Sequence, residues 1–288
     1  MIDLLFSDMA QAEAVFAGGF SAERCYLDSF LALPEGAKAL AARMRQLTEA
    51  ELFLALPYMT RQEQALPMMR DLERFCEEAS DAGFAGMLAR NFEQFAFLTE
   101  KGYAGELAAD RSLYVWNPQA FFALRERNAR FKGFTLSPEM SLAQWRHLTA
   151  ELQGEAQVTA VVYGYLPLMV SAGCIKENEP GGGCSKQRGE AYRCGTELTD
   201  RTGRRMQVTC DCRNCYNVIW NAHRLSLHDA LAQLAAMGER VRLRLDFTTE
   251  SAEEAAAVCR VFLAAEKGEE LTLPYTEYTT GRLKKGVE

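Results

Sequence analysis

Residues 158–174 read VTAVVYGYLPLMVSAGC, and this stretch decides how the chain folds. Its first half is an unbroken apolar run rich in valine, which is typical of a strand buried on both faces in a parallel sheet. Its second half leaves the apolar run at Gly164 and reaches Cys174, the first of a group of cysteines. The stretch therefore predicts a buried strand that opens directly into a cysteine-bearing segment.

Similar short apolar runs recur along the chain and predict eight strands. These are residues 2–6, 24–27, 51–56, 86–89, 113–116, 133–136, 158–163 and 242–247. Segments with a 3.6-residue apolar period predict helices at 37–47, 62–79, 91–100, 118–128, 142–152, 227–237 and 251–265. Ser141 and Ser251 are helix start signals. The alternation predicts an α/β fold of the (β/α)8 TIM-like barrel type, with an open doubly wound sheet as the alternative.

One interval breaks this alternation. Residues 164–241 separate the seventh and eighth predicted strands, far more than an ordinary βα loop requires, and their first part is rich in Gly, Cys and Arg. We expect a cysteine-rich insertion at residues 164–226 within a single barrel domain of residues 1–288. The insertion would leave the carboxyl end of strand seven, on the face where barrel enzymes hold their active sites.

The charge and the N-terminus limit the possible partners. A net charge of -7 predicts no general affinity for nucleic acid, so an RNA contact would need a local basic patch. The first 20 residues lack a secretory signal pattern, and no apolar run approaches the ~20 residues that span a bilayer. We therefore expect a cytoplasmic protein with no membrane partner.

The chain has nine cysteines, which a reducing compartment keeps as thiols rather than disulfides. Cys25, Cys76 and Cys259 lie among apolar residues and are expected to act as small buried hydrophobes. The other six fall between Cys174 and Cys215. Such clustering favours a metal centre over a set of structural thiols.

The spacing of the cluster is that of a thiolate metal site. Cys212 and Cys215 form a C-x2-C pair, which brings two thiolates from one turn to the same metal. Cys174 and Cys184 precede the pair in a loop that follows a strand, so four thiolates are available. Zinc and an iron–sulfur cluster both accept such a set, and spacing does not separate them. Two further cysteines could replace a member of the set: Cys194 and Cys210.

At these residues the chain resembles the peptidase U-32 family, also called the collagenase-like protease family. The resembling segments are YGYLPLMVSAGC at 163–174, GGGC at 181–184, LTDRTGRRMQV at 198–208 and CRNCYNVIWNAHRLSL at 212–227. Supporting similarity lies in LALPYMTR at 54–61, RLRLDFTTES at 242–251 and YTTGRLKKGVE at 278–288. The combination of these segments is specific, although no single one is.

The resemblance implies a TIM-like barrel that carries a [4Fe–4S] cluster on Cys174, Cys184, Cys212 and Cys215. Members of the family include proteins named as peptidases and others that support oxygen-independent hydroxylation of tRNA, ribosomal RNA or a quinone precursor. The implied function is therefore hydroxylation of RNA or a small aromatic substrate. The alternatives are a peptidase with a structural metal centre and a non-catalytic, cluster-bearing subunit of a partner.

The chain departs from the family pattern in two places. The family ending commonly has a Thr-Arg-Gly-His pattern, whereas this chain has Thr279, Thr280, Gly281 and Arg282, so any role of that histidine is absent or moved. The N-terminal part resembles the second barrel of longer family members. That resemblance implies either a second family-member chain that supplies the missing portion or a domain excised from a larger ancestor.

Five arginines are candidate substrate ligands: Arg61, Arg90, Arg201, Arg204 and Arg205. Arg61 and Arg90 follow the third and fourth predicted strands, where side chains point toward a barrel mouth. The other three lie in the run DRTGRR at 200–205. This run predicts either an anion clamp, for a small carboxylate or an RNA phosphate, or a solvent-exposed hairpin.

Sequence motifs of other enzyme classes are missing. The chain has no serine-nucleophile elbow, HExxH zinc helix, Walker loop or GxGxxG fingerprint. His223 and His228 follow the cysteines closely enough to support metal ligands. The sequence thus argues against the usual hydrolase and nucleotide-binding mechanisms and leaves the cysteine cluster as the candidate working centre.

Overall fold

A computed structural model describes residues 2–60, 68–178, 193–238, 241–269 and 272–286 of the chain. The strands around the barrel are β1 (Ile2–Phe6), β2 (Arg24–Asp28), β3 (Glu51–Ala55), β4 (Gly86–Ala89), β5 (Glu106–Ala109), β6 (Phe131–Thr135), β7 (Gln157–Gly164) and β13 (Val241–Phe247). Neighbours pair in parallel, and β13 pairs with both β7 and β1, which closes the sheet. The predicted (β/α)8 barrel, with an insertion between its seventh and eighth strands, is confirmed.

The described helices include seven at positions that the apolar periodicity predicts and two that it does not, at Met9–Ala17 and Ile175–Asn178. They are α1 (Met9–Ala17), α2 (Gly36–Arg45), α3 (Met68–Glu78), α4 (Phe92–Glu100), α5 (Pro118–Arg127), α6 (Leu142–Glu151), α7 (Ile175–Asn178), α8 (Leu231–Ala235) and α9 (Ala252–Lys267). Ser141 and Ser251 each complete a capping box, so both start signals are confirmed. The start of the predicted helix 62–79 lies outside the described residues. Within the described part of the chain, no helix has the length and apolar character needed to cross a bilayer.

The prediction for the fifth strand was wrong. Residues 113–116 are aromatic and β-branched and predict a strand, but the strand is β5, whose sequence ELAA has poor intrinsic strand preference. Pairing with β4 and β6 on either side overrides that preference. The Asp110 carboxylate instead caps a 3-10 turn, and Tyr114 has a φ of 50°, which no strand residue adopts.

The barrel interior is built in three layers, because every second side chain of a strand points inward. The lowest layer is ionic, with Arg24 bonded to Glu51 and Glu106. The middle layer is largely apolar and contains Leu5, Tyr26, Phe53, Ala55, Leu88 and Ala108. The top layer, at the carboxyl ends of the strands, is ionic again and is described with the site. The outward faces carry the apolar core shared with the helices.

The insertion forms a second sheet rather than an irregular loop. Its strands are β8 (Pro167–Ser171), β9 (Arg193–Thr199), β10 (Arg205–Asp211) and β11 (Tyr216–Trp220), in the antiparallel order β8-β11-β10-β9. The chain then returns through β12 (Arg224–Ser226), which pairs with β7, and β14 (Tyr278–Thr279) pairs with β12. The second sheet therefore grows directly from the carboxyl end of β7.

Candidate functional site

The floor of the barrel mouth is a buried network of arginines and aspartates. Arg244 Nε donates to Asp246 Oδ1 at 2.6 Å, and its Nη2 donates to Asp110 Oδ1 at 3.0 Å. Arg111 Nη1 donates to the other oxygen of Asp246 at 2.9 Å. The Arg244 side chain is completely buried. Because a buried charge is costly unless it is paired, each of these groups depends on its neighbours.

Arg90 continues the network toward the second sheet. Its Nε lies 3.3 Å from Asp110 Oδ2, its Nη1 lies 3.6 Å from Asp28 Oδ2, and its guanidinium stacks on the ring of Tyr58 at 4.0 Å. Arg193, the first residue of β9, donates to the other oxygen of Asp28 at 3.2 Å. Burial opposes the ionisation of Asp28, but the charges of Arg193 and Arg90 hold its pKa below the ordinary value. One carboxylate thus joins the barrel to the second sheet.

A cavity of about 470 Å³ lies between the barrel mouth and the second sheet. Its walls include the aromatic side chains of Phe30, Tyr58 and Trp220 and the carboxyl groups of Asp211 and Glu250. Burial raises the pKa of both of these carboxyls. The cavity therefore combines flat apolar surface with carboxyl groups that hold a proton more readily than usual.

The structure places the predicted arginine ligands in two different environments, the barrel mouth and the tip of a hairpin. Arg90 lies in the mouth, but its charge is already used by Asp110 and Asp28. The turn of the β9–β10 hairpin contains Arg201 and Arg204, and Arg205 begins β10; all three are exposed. This hairpin tip is roughly 20 Å along β9 from Arg193, from the usual rise per strand residue. Arg61 lies outside the described residues.

The turn of this hairpin is shaped by Asp200. Its Oδ1 accepts hydrogen bonds from the backbone amides of Thr202 and Arg204, at 2.7 and 3.0 Å. Gly203 supplies the left-handed backbone, with a φ of 83°. The geometry is that of a solvent-exposed hairpin, whose arginines do not line the mouth cavity.

The register of the second sheet separates two faces, since residues paired across neighbouring strands share a face. Asp211 is paired with Tyr216 and Arg193, and these three side chains face the barrel. Cys210 is paired with Asn217 and Cys194, which therefore lie on the outer face. The register therefore places the side chains of Cys194 and Cys210 on the face opposite Asp211, although Cys194 also borders the mouth cavity.

Sequence reasoning had left Cys194 without a role, and the structure brings it to the cluster. Cys194 Sγ lies 3.9 Å from Cys212 Sγ. Cys215, in a left-handed backbone conformation with a φ of 52°, places its Sγ 3.8 Å from the carbonyl oxygen of Cys212. The thiols of Cys194 and Cys212 therefore meet at one end of the sheet, and Cys215 belongs to the same turn as Cys212.

Cys174 approaches the same end from β8. Ser171 pairs with Asn217, and the Asn217 amide donates to the carbonyl oxygens of Ser171 and Gly173. These bonds hold Gly173, the residue before Cys174, beside β11, the strand that follows Cys215. Cys184 lies outside the described residues.

The donor chemistry fits a thiolate-bound metal, although the described side chains do not close a site. No three His, Cys, Asp or Glu side chains stand together as metal ligands within the described ranges. The 3.9 Å separation of the Cys194 and Cys212 sulfurs matches two thiolates on one tetrahedral ion, for which a Zn–S bond of about 2.3 Å gives about 3.8 Å. In a [4Fe–4S] cluster each thiolate binds a different iron, so that pair would have to move apart.

The C-x2-C turn is anchored to the barrel from its two central residues. Arg213 Nε and Nη2 donate to the two carboxylate oxygens of Asp71 on α3, at 2.8 and 2.9 Å. The Asn214 backbone amide and side-chain amide donate to the two oxygens of Asp211, at 2.9 and 3.1 Å. The turn thus has a fixed conformation defined by protein groups alone.

A serine–histidine pair bears on the peptidase alternative. Ser226 Oγ lies 2.8 Å from His228 Nδ1, and His228 Nε2 lies 3.2 Å from Asp229 Oδ1. Ser226 is only 1% exposed, and its Oγ also lies 2.7 Å from the Tyr275 hydroxyl. A nucleophile buried to this degree has no access to a peptide, so the arrangement joins β12 to the C-terminal segment. His223 contacts Glu277, at 3.6 Å.

Sequence reasoning missed four of the residues that organise the site: Asp28, Asp71, Arg193 and Arg213. Asp28 ends a barrel strand, and that position was a readable signal for the mouth. Asp71 and Arg213 give no such signal, because their pairing joins positions 142 residues apart in sequence.

Comparison with known proteins gives distant structural similarities. No protein-family model matches the sequence, and no curated protein matches it significantly. The structure of the U32 peptidase Mk0906 is similar with a TM-score of 0.48 and 9% identity, over 87% of this chain and 93% of that chain. The name of Mk0906 is that of the U32 peptidases, the family whose motifs this chain resembles.

Two other solved structures show similarity over most of the chain. A conserved Enterococcus faecalis protein of unknown function has a TM-score of 0.46 and 10% identity, over 93% of this chain and 66% of that one. The Bacillus megaterium spore cortex-lytic enzyme SleL has a TM-score of 0.41 and 8% identity, over 95% and 75%. Similarities this distant do not assign the chain to a family.

Proposed function

We propose that this chain is a U32-type iron–sulfur protein that supports oxygen-independent hydroxylation of RNA or a small aromatic substrate. The observation that carries the proposal is the position of Cys212 beside the mouth cavity. Asp211 lines the mouth cavity, and Cys212 follows it immediately on the chain. A centre bound by Cys212 would therefore lie one residue from the cavity wall, while the motif resemblance supplies the cluster type and the reaction class.

The proposed ligands are Cys174, Cys184, Cys212 and Cys215, with Cys194 as a fifth candidate because of its contact with Cys212. When bound, the cluster would supply a redox-active iron centre. Zinc is the alternative metal, and the 3.9 Å sulfur pair fits it without rearrangement. The proposal therefore has a direct chemical test in the metal content of the protein.

The cavity supports a neutral ring as the group bound at the mouth. Phe30, Tyr58 and Trp220 offer flat surfaces on which a ring stacks. Asp211 and Glu250 add polar carboxyl groups beside these surfaces. The mouth arginines are paired with aspartates and are poorly suited to a free carboxylate, whereas Arg201 and its neighbours are exposed for a phosphate chain.

A second candidate, a cluster-bearing subunit of a partner chain, is favoured by the edge of the second sheet. Among the described strands, β8 is at the edge of its sheet, and its Leu168 and Met169 side chains are 57% and 55% exposed. An uncharged, exposed edge strand is a common site for pairing with another chain. This surface suits the second family-member chain that the motif resemblance implies.

The proposal is tested by comparing hydroxylated species in cells with and without the protein. Mass spectrometry of RNA nucleosides and of small aromatic metabolites should reveal a species that lacks one oxygen atom in the deletion strain. The wild-type chain and Cys76→Ala should restore the oxygen, since Cys76 lies on α3 away from the cluster. Cys212→Ala should not. A deletion strain with unchanged RNA and aromatic pools, or restoration by Cys212→Ala, would contradict the proposed activity.

A further inference from the structure

The turn between Cys212 and Cys215 is attached to the barrel by an ion pair with strict geometry. Arg213 and Asp71 form a bidentate fork, with both guanidinium–carboxylate hydrogen bonds shorter than 3 Å, at 2.8 and 2.9 Å. Their side chains are 13% and 11% exposed, so solvent screens the pair only weakly. A fork of this kind fixes orientation as well as position.

Asn214, the residue after Arg213 in the turn, is also held by two hydrogen bonds. Asn214 is 3% exposed, and both of its amide groups donate to Asp211. Arg213 and Asn214 are thus committed to the barrel side of the sheet. The flanking Cys212 is directed to the outer side, where it meets Cys194.

Helix α3 connects this fork to the wall of the mouth. Asp71 lies in its first turn, and Met68, at its start, packs with Tyr216 and Trp220 of β11. Both aromatic residues line the mouth cavity. Asp71, which binds Arg213 of the cysteine turn, therefore lies on the same helix as Met68, which contacts the cavity wall.

We infer that Asp71 and Arg213 are positioning residues that preset the Cys212–Cys215 turn for metal binding. The inference rests on the proposed metal centre and adds that metal affinity depends on a carboxylate of α3 that is not itself a ligand. The physical reason is preorganisation, because a turn already held in the binding conformation does not have to be ordered when the metal binds. Partners that orient metal ligands typically change affinity about 10–100-fold when removed.

The test is a Co²⁺ titration of the full-length, reduced, metal-free protein, followed by the thiolate-to-cobalt absorption and by Zn²⁺ competition. The variants are Asp71→Asn, Arg213→Lys, and the double variant Asp71→Arg with Arg213→Asp. The double variant exchanges the two charges and is called the exchange. The control is Arg43→Lys, which alters an exposed ion pair with Glu13 on the barrel. We expect about 10–100-fold weaker binding in Asp71→Asn, a smaller loss in Arg213→Lys, partial recovery in the exchange and no change in the control.

Each outcome separates this inference from the proposed centre. If the wild-type chain binds no thiolate-coordinated Co²⁺, the proposed centre fails and the inference fails with it. If the wild-type chain binds and both single variants bind equally well, only the inference is overturned. A purely structural ion pair would lower the melting temperature of the metal-free variants while leaving the affinity of the folded protein unchanged. Should Asp71→Asn not fold, Arg213→Lys, which keeps the charge but loses the fork, decides the question.

Discussion

The two faces of the second sheet are stabilised in different ways. On the inner face, Arg193 and Asp211 find their partners in the protein, Asp28 in the barrel and Asn214 in the adjoining turn. On the outer face, the sulfurs of Cys194 and Cys212 lie 3.9 Å apart. The inner face is held by ion pairs and hydrogen bonds within the protein, whereas we propose that the thiols of the outer face bind a metal.

The docking of the second sheet on the barrel therefore does not require a metal. The ionic mouth and the Arg213–Asp71 fork hold the sheet on the barrel whether or not the cysteines are occupied. A metal bound at the outer face would then stabilise one end of the sheet rather than the whole fold. Perturbing the two faces separately should have distinct effects.

The largest effect is expected from the network below the inner face. Asp110→Ala leaves Arg244 and Arg90 buried without one of their carboxylates, which should lower the free energy of unfolding by about 3–5 kcal/mol. The loss should be the same with and without metal. Urea unfolding measures it, with the exposed Asp81→Ala as control. A loss below about 1 kcal/mol would show that the network is not needed for the fold.

Removal of the metal should increase hydrogen exchange only at the end of the second sheet that carries the cysteines. Hydrogen exchange in the proposed centre's turn, residues 212–215, should rise about tenfold on chelation, because the metal links segments that otherwise open locally. Exchange in β1 to β7 should stay unchanged. Equal acceleration throughout the barrel would contradict the separation of the two faces.

A smaller effect is expected from the thiol that sequence reasoning left without a role. Cys194→Ser should weaken metal binding about tenfold, because it removes the sulfur nearest Cys212. Cys76→Ser is the matched control, since Cys76 lies on α3 and packs against the barrel core. Equal metal affinity in the two variants would remove Cys194 from the centre.

The smallest effect is the pH dependence of two carboxyls between the sheet and the barrel, Asp28 of β2 and Asp211 of β10. The pKa of Asp28 is lowered on folding, so its contribution is present above the ordinary carboxyl pKa and is lost as pH falls. The pKa of Asp211 is raised, so wild-type stability is lost as pH rises through the unfolded-state value. Relative to wild type, Asp28→Asn should therefore lose stability with rising pH and Asp211→Asn should gain it. Urea midpoints from pH 3 to 6 would show the two slopes, and slopes of the same sign would contradict this assignment.

The sequence predicted the barrel because its wall is apolar on one side of every strand and its helices are amphipathic. It failed at β5, where pairing between neighbours outweighs the weak strand preference of Ala108 and Ala109. It did not reveal the ionic mouth, because Arg244 and Asp246 alternate with apolar residues inside a run that scores as an ordinary strand.

The cysteine end was predictable only in part. The C-x2-C spacing is local and visible in sequence, but Cys194 joins it through antiparallel pairing of β9 with β10, which no spacing rule encodes. The Arg213–Asp71 fork likewise depends on how the insertion docks on α3. Long-range contacts of this kind follow from the fold and cannot be read from local patterns.

We propose that the outer face of the second sheet holds a thiolate-bound metal centre. The most direct test is anaerobic purification followed by visible absorption and by iron, sulfide and zinc analysis of the wild type, Cys212→Ala and Cys76→Ala. The account predicts a brown wild-type protein with matching iron and sulfide, retained in Cys76→Ala and lost in Cys212→Ala. Stoichiometric zinc with the same dependence on Cys212 would keep the centre and replace the cluster. A metal-free wild type, or metal that remains in Cys212→Ala, would contradict the claim.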